Sequence, residues 1–124
     1  MKVFKIEDFM KMENPKPGTT YKQALLKDLQ ARSLSGVFGL VVPGSKGGDY
    51  HYHEKGEHVI FILSGEGIEL VEGKEFPVKA GDVIFVPAGV KHTTLNKSEK
   101  DLRYIGFLTC TPGQEDRFIL KESV

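Results

Sequence analysis

The chain contains four histidines, and their crowding is the feature of the sequence that most directly predicts chemistry. His51, His53 and His58 fall within the single short stretch His-Tyr-His-Glu-Lys-Gly-Glu-His. On an extended chain side chains alternate between faces, so His51 and His53 point the same way and their imidazoles can chelate one ion. The cluster predicts a metal site with the ligands His51, His53, His58 and His92.

Two of these histidines adjoin apolar runs, which predicts that they are buried. His58 opens an apolar run that continues through residue 63, where a polar side chain facing the interior is costly unless it has a partner such as a metal. His92 follows another apolar run after a short Pro-Ala-Gly-Val-Lys segment. The alternative is that the histidines are separate from one another, each exposed or hydrogen-bonded. This explanation suits a lone histidine better than four in one cluster.

The same alternation predicts the residues around the ion. Counting from His58 places Ile60 and Ile62 on the inner face, and counting from His92 places Thr94 there. These three residues form the predicted substrate pocket, and plain barrel core explains them equally well. Tyr104 fits either a proton donor near this pocket or an aromatic residue on the barrel surface.

The elements that must position these residues are strands. From residue 36 onward, short runs rich in Val, Ile and Phe alternate with Gly, Pro, Asp and Asn, which is typical of an all-β sandwich or barrel. Glu72-Gly73 lies between two runs and predicts a tight hairpin. Residues 21–31 fit a strand or an amphipathic helix, and a strand is favoured. The predicted strands are residues 37–42, 58–63, 67–71, 75–78, 83–86, 93–96 and 102–109.

Length, charge and cysteine content indicate which classes of protein this sequence fits. A chain of 124 residues fits one domain. Basic and acidic residues number 17 each, so no excess positive charge is available to hold nucleic acid. The first residues mix apolar and charged side chains, which predicts neither a signal peptide nor a membrane span. One cysteine cannot form an internal disulfide. We expect a cytoplasmic protein.

The segment from Gly81 to Asn96 resembles the second conserved motif of the cupin family, with Pro87, Gly89 and His92 at the matching spacings. Residues 44–65 resemble the first motif through His51, His53 and Gly65. The resemblance covers about residues 36–109. It implies one cupin domain over residues 1–124, folded as a double-stranded β-helix or jelly-roll barrel, with an N-terminal arm and a C-terminal tail.

The sequence departs from the family pattern at the position that usually holds a glutamate. Counting back from Gly65 places that position on His58, whereas Glu57 would face the other side of the strand. We therefore assign His58 as the ligand and Glu57 as a solvated neighbour. Some small cupins are similar in carrying four histidines.

A centre of neutral imidazoles leaves a divalent ion with its full charge, so we expect small anionic ligands. Imidazole suits Fe, Ni, Cu and Zn, and the resemblance adds Mn. It implies a metal-dependent enzyme of the dioxygenase, isomerase or decarboxylase type, or a non-catalytic ligand-binding or sensor protein. A metal-free structural cupin is the third possibility. Sheet edges and the apolar tail residues Phe118, Ile119 and Leu120 predict a homodimer, as is common among small cupins.

Overall fold

The computed structural model describes residues 1–45 and 50–120 of the chain. Residues 46–49, which belong to the first motif, and residues 121–124 lie outside the described residues. Within the described part no helix has the length and apolar character needed to cross a bilayer. The elements in chain order are α1 (Ile6–Lys11), β1 (Tyr21–Ala24), β2 (Ser35–Val41), β3 (His51–His53), β4 (His58–Ser64), β5 (Glu66–Val71), β6 (Lys74–Lys79), β7 (Val83–Val86), β8 (His92–Leu95), β9 (Leu102–Leu108) and β10 (Arg117–Ile119).

The strands form two antiparallel five-stranded sheets. The first sheet has the order β1-β2-β9-β4-β7, and the second has the order β10-β3-β8-β5-β6. This arrangement confirms the predicted all-β jelly roll. Each predicted strand is present, and no end differs from its predicted position by more than two residues.

The hairpin between β5 and β6 turns at Glu72 and Gly73, as predicted. Both residues have positive φ, 49° and 79°, and Val71 pairs with Lys74 across the turn. Two consecutive positive φ angles are the signature of the type I′ turn, whose twist matches that of the flanking strands. The turn thereby sets the register of β5 against β6.

Residues 21–31 are a strand only at their beginning. β1 ends at Ala24, and the backbone N–H of Leu25 still donates to the carbonyl of Gly36. The chain then turns, with a hydrogen bond from Leu29 N to Leu26 O. Leu25 is 7% exposed, so burying its side chain in the core takes the place of further strand pairing.

The molecule has an apolar cluster on each face of the first sheet. The inner cluster lies between the sheets and comprises Val41, Ile60, Ile62, Val78, Leu102 and Tyr104. On the outer face α1 covers β2, because the ring of Phe9 stacks on Phe38 with centroids 5.0 Å apart. Arg103 holds the helix in place by donating from Nη1 to the carbonyls of Phe9 and Met12 at 2.6 and 2.7 Å.

Candidate metal centre

Three buried histidines of the second sheet meet at the inner face of β3 and β8. His51 and His53 lie on the same face of β3, and His51 pairs in register with His92 on β8. One nitrogen from each ring can be chosen so that the three lie within 4.8 Å of one another. The exposed fractions are 8% for His51, 6% for His53 and 2% for His92. This grouping is suited to holding a metal ion.

His58 approaches the same cluster from the opposite sheet. It is the first residue of β4, and its ring centroid lies 5.5 Å from that of His53 and 5.4 Å from that of His92. The ring lies over Gly106 of β9, where a Cβ would be 2.9 Å from Nε2. Glu57 is exposed, and its backbone N–H donates to Oγ1 of Thr109. The structure therefore brings all four histidine rings together and leaves Glu57 at the surface.

Buried nitrogen atoms in this cluster lack hydrogen-bond partners within residues 1–45 and 50–120. They are Nδ1 of His53, Nδ1 of His58 and Nε2 of His92. A buried polar atom without a partner costs roughly 1–3 kcal/mol. An imidazole nitrogen that carries no proton is a metal ligand, so these atoms fit a bound cation.

The environment keeps two of the rings neutral, which is the form that binds metal. Burial and, next, the charge of the neighbouring His92 lower the pKa of His53 to about 4. Burial also lowers the pKa of His58 to about 3, with added contributions from His92 and His53. Both values lie well below the ordinary value of 6.5.

Glu69 orients His92, and the sequence analysis did not identify it. Its Oε2 lies 2.8 Å from Nδ1 of His92, and its Oε1 accepts a hydrogen bond of 2.7 Å from Oγ1 of Thr94. Glu69 is 1% exposed. An acidic residue within the apolar run of β5 was the available signal, but its partners depend on the pairing of β5 with β8.

The four histidines line a cavity of about 370 Å³, the lower end of the range for ligand pockets. Ile60 and Thr94 line it, as the strand alternation predicts. Ile62 packs in the inner apolar cluster and is not among the described residues that line the cavity. The other lining residues are Lys22, Ala24, Ser35, Gly36, Val37, Val41, Thr93, Tyr104, Gly106, Leu108, Glu115 and Arg117.

Tyr104 lies in this lining rather than on the barrel surface. Its position in β9 pairs with Gly39 of β2 on one side and Ile62 of β4 on the other. The ring occupies the space over Gly39, where a Cβ would overlap it. Burial raises the pKa of Tyr104 to about 12, and the charge of Glu69 raises it as well. The phenol therefore stays protonated at physiological pH and can donate a hydrogen bond.

The C-terminal segment adds charged residues to the site. β10 pairs with β3 so that Arg117 lies opposite His53, and the backbone N–H of Leu120 donates to the carbonyl of Tyr50. Asp116 Oδ1 lies 3.8 Å from Nδ1 of His53. Its other oxygen accepts a hydrogen bond from the backbone N–H of Lys55. The pairing of β10 with β3 brings these charged residues to the site, and the sequence analysis did not predict them as part of it.

The order of the strands, the inward histidines and the cavity between the sheets agree with the family comparison. Residues 37–108 match the family model for the cupin domain, Cupin_2. The chain belongs to the cupin family. This cupin is also similar to the "Oxalate-binding protein" of Thermotoga maritima, with 39% identity over 53% of this chain and 54% of that protein. The match thus spans about half the length of that relative.

Solved structures of other proteins have the same fold. A Klebsiella pneumoniae protein described as an uncharacterized conserved protein with a double-stranded β-helix domain superposes with a TM-score of 0.78. It is 19% identical, and the superposition covers 98% of this chain and 99% of that one. A predicted oxalate decarboxylase from Thermotoga maritima superposes with a TM-score of 0.66 at 29% identity, covering 73% of this chain and 80% of that one.

Proposed function

We propose that this cupin is a metal-dependent enzyme that acts on a small anionic or enolisable metabolite. The observation that carries the proposal is that three buried histidines of the second sheet share one cavity with the half-buried His58 of the first sheet, and ligand atoms of the three buried ones lie within 4.8 Å of one another. The proposed cofactor is a divalent transition metal, Mn, Fe, Ni, Cu or Zn. Its proposed ligands are His51, His53, His58 and His92.

The electrostatics of the site favour an anionic ligand. Neutral imidazoles cancel none of the charge of a divalent cation, and the low pKa values of His53 and His58 keep these rings neutral at physiological pH. A bound divalent ion in such a centre supplies Lewis-acid polarisation of a carboxylate, enolate or carbonyl oxygen. The proposed reactions are therefore dioxygenation, isomerisation or decarboxylation.

Tyr104 and Glu69 have two further roles in the proposed function. Tyr104 presents a protonated phenol in the lining of the cavity and can donate a hydrogen bond to a ligand oxygen. Glu69 fixes the orientation of His92 through the contact at Nδ1. A cavity with an ionisable donor beside the histidines supports proton-transfer chemistry better than a purely apolar pocket would.

A second candidate function is non-catalytic binding of a small carboxylate. The relative named as an oxalate-binding protein favours it, because 39% identity extends over about half of each chain. The cupin fold alone does not separate the two functions, since one fold hosts many activities. Turnover of the bound carboxylate distinguishes an enzyme from a binding protein.

The proposal is tested with protein purified without a metal-affinity tag. We expect elemental analysis to find one transition metal, and we expect chelation to lower the melting temperature. A ligand of the native state alone adds about 4 kcal/mol when its free concentration is a thousandfold above its dissociation constant. The metal-loaded protein should bind oxalate or acetate, and the stripped protein should not. Equal melting and equal carboxylate binding by the two forms would contradict the proposal.

Location and partners complete the proposal. We infer a cytoplasmic protein that binds a small molecule and no membrane, and its balanced charge favours such a ligand over nucleic acid. Cell fractionation, with a cytoplasmic and a periplasmic or secreted marker as controls, measures the location directly.

A further inference from the structure

Two cationic side chains line the cavity from the edge strands of the two sheets. Lys22 lies on β1, which is the edge of the first sheet, and Arg117 lies on β10, which is the edge of the second. None of the four histidines lies on either of these strands. The cations therefore belong to the same cavity as the histidines but to different elements of the barrel.

The strand register directs Arg117 toward the interior. Arg117 is the cross-strand partner of His53, and partners in an antiparallel pair project from the same face. His53 is 6% exposed and faces the cavity, so Arg117 faces it too. The next residue, Phe118, projects to the opposite face, where its ring stacks on Tyr52 with centroids 5.1 Å apart. This outer contact helps to hold β10 in the register that points Arg117 inward.

Lys22 is exposed, and the register of the first sheet places it on the face of β1 that lines the cavity. Lys22 pairs with Gly39, and Gly39 pairs with Tyr104, whose side chain lines the cavity. Since Gly39 has no side chain, the ring of Tyr104 extends over it in the direction of β1. Lys22 and Tyr104 are thus neighbours on the inner face of the sheet.

The charges of both cations reach the histidine cluster. The charge of Arg117 lowers the pKa of His53, of His58 and of Tyr104, and the charge of Lys22 lowers the pKa of His58. Among the described residues, one anionic side chain, Glu115, shares the lining, and its Oε1 accepts a hydrogen bond of 3.1 Å from the backbone N–H of Gly113. The lining within residues 1–45 and 50–120 thus contains two cationic side chains and one anionic side chain.

We propose that Lys22 and Arg117 form a second anion-binding position, so that the preferred ligand of this cupin carries two separated anionic groups. The inference rests on the proposed function, in which the first group binds at the histidine centre. The second group, a carboxylate or a phosphate, binds to the two cations. Arginine binds either group through paired N–H donors, and lysine adds a point charge. The ligand class is a short dicarboxylate or a phosphorylated acid.

Affinity for a series of small anions tests the proposal. Titration calorimetry at fixed ionic strength compares acetate with malonate, succinate and phosphoglycolate on the metal-loaded protein. We expect the best dianion to bind at least about tenfold more tightly than acetate, as for hydrogen bonds to charged groups. The comparison between malonate and succinate measures the spacing of the two positions, and phosphoglycolate separates phosphate from carboxylate.

Substitutions of Lys22 and Arg117 test whether these two residues bind the second anionic group. Arg117→Gln and Lys22→Gln should each remove most of the dianion advantage, which is measured as the ratio of dianion affinity to acetate affinity within the same metal-loaded variant. Arg117→Lys should restore part of it, because the charge returns without the paired donors. The matched control is Lys97→Gln, which removes one positive charge from an exposed pair with Glu75 outside the cavity and should keep the full advantage.

The outcomes separate the two proposals. Equal affinity of the wild-type protein for acetate and every dianion would overturn the second position while leaving the metal centre intact. An unchanged dianion advantage in both Arg117→Gln and Lys22→Gln would do the same. Failure of the metal-loaded protein to bind any of the anions would overturn the proposed function and this inference with it. Because Lys22 and Arg117 lie on different sheets, loss of β10 pairing in one variant leaves the other as a valid test.

Discussion

Nδ1 of His92 lies 2.8 Å from Oε2 of Glu69, and the two side chains are 2% and 1% exposed. An ionised carboxylate only accepts hydrogen bonds, so the proton of this contact belongs to Nδ1 and the lone pair of the ring is on Nε2. Nε2 of His92 is one of the buried nitrogens without a partner in the described structure. Glu69 thus fixes the tautomer that leaves a metal-binding nitrogen in the cavity.

The first prediction concerns this contact. Glu69→Gln should weaken metal affinity by roughly 10–100-fold, since that is the usual effect of losing the partner that orients a histidine ligand. Competition titration against a chelator measures the change. Glu75→Gln is the control, because Glu75 is an exposed carboxylate paired with Lys97. Wild-type affinity in Glu69→Gln, with Glu75→Gln also unchanged, would show that Glu69 does not act on the metal centre.

The second prediction separates His58 from Glu57 as the fourth ligand. His58→Ala should reduce metal content by more than Glu69→Gln does, because it removes a proposed ligand. The ring centroid of His58 lies 5.5 Å from that of His53. Glu57→Ala should leave metal content nearly unchanged, because Glu57 is exposed. Metal content is measured by elemental analysis on matched folded samples. The opposite ranking would make Glu57 the ligand and remove the charge argument for anionic substrates.

The third prediction is a loss of stability of the metal-free protein as pH falls from about 6.5 toward 4. In the unfolded chain histidine takes up a proton near 6.5, whereas folded His53 and His58 do so only near 4 and 3. The unfolded state therefore binds more protons in this window, and the free energy of unfolding decreases as pH falls. Urea denaturation at a series of pH values measures it.

The titration of Asp116 affects stability at a lower pH than the titration of the two histidines does. Burial acts to raise its pKa, but backbone hydrogen bonds from Lys55 and Gly56 and the charge of His53 bring it below the ordinary 3.8. Its contribution is present above 3.8 and is lost at lower pH, outside the histidine window. Removing the histidines should flatten the profile between pH 6.5 and 4 in the variants His53→Gln and His58→Gln. An equally steep profile in both variants would assign the slope to other groups.

The fourth prediction is the homodimer, for which the structure offers a surface. On the outer face of the first sheet, Phe61, Val83 and Phe85 are 37%, 59% and 56% exposed. Phe61 pairs with Val83 in register, so the two side chains lie on one face of β4 and β7. α1 covers the β2 end of this face and leaves the β7 end open. Light scattering should give twice the mass of the chain.

The oligomeric state can be tested by charge substitution at this surface. Phe85→Lys should shift the protein to a monomer with an unchanged fold, and Lys97→Gln on another surface should not. A wild-type monomer at micromolar concentration would contradict the prediction, and a dimer that survives Phe85→Lys would place the interface elsewhere.

The sequence allowed prediction of those features that depend on local pattern. The apolar run of β4 sets its own register, since a slip of one residue would turn its inner face outward, and this places His58 inside and Glu57 outside. The same holds for the turn at Glu72 and Gly73, where the glycine suits positive φ.

The features that the sequence did not reveal depend on contacts between distant segments. Glu69 is a lone acidic residue until the pairing of β5 with β8 places it against His92 and Thr94. β10 is only three residues long and exists through its pairing with β3. α1 has six residues and no side-chain cap, and its position depends on Phe9 and on the distant Arg103. Local propensity is too weak to predict such short elements.

The placement of Lys22 and Arg117 on the two outermost strands has a consequence for how this barrel can diversify. The strands that carry the histidines, β3, β4 and β8, each have two neighbouring strands, whereas β1 and β10 each have one neighbour within the described residues. Under the proposal that Lys22 and Arg117 bind a second anionic group, substitutions on these two strands should alter the ligand that is selected while the imidazole cluster stays intact. Recombining the edge strands of related barrels would then be a direct route to new ligand preferences on an unchanged histidine cluster.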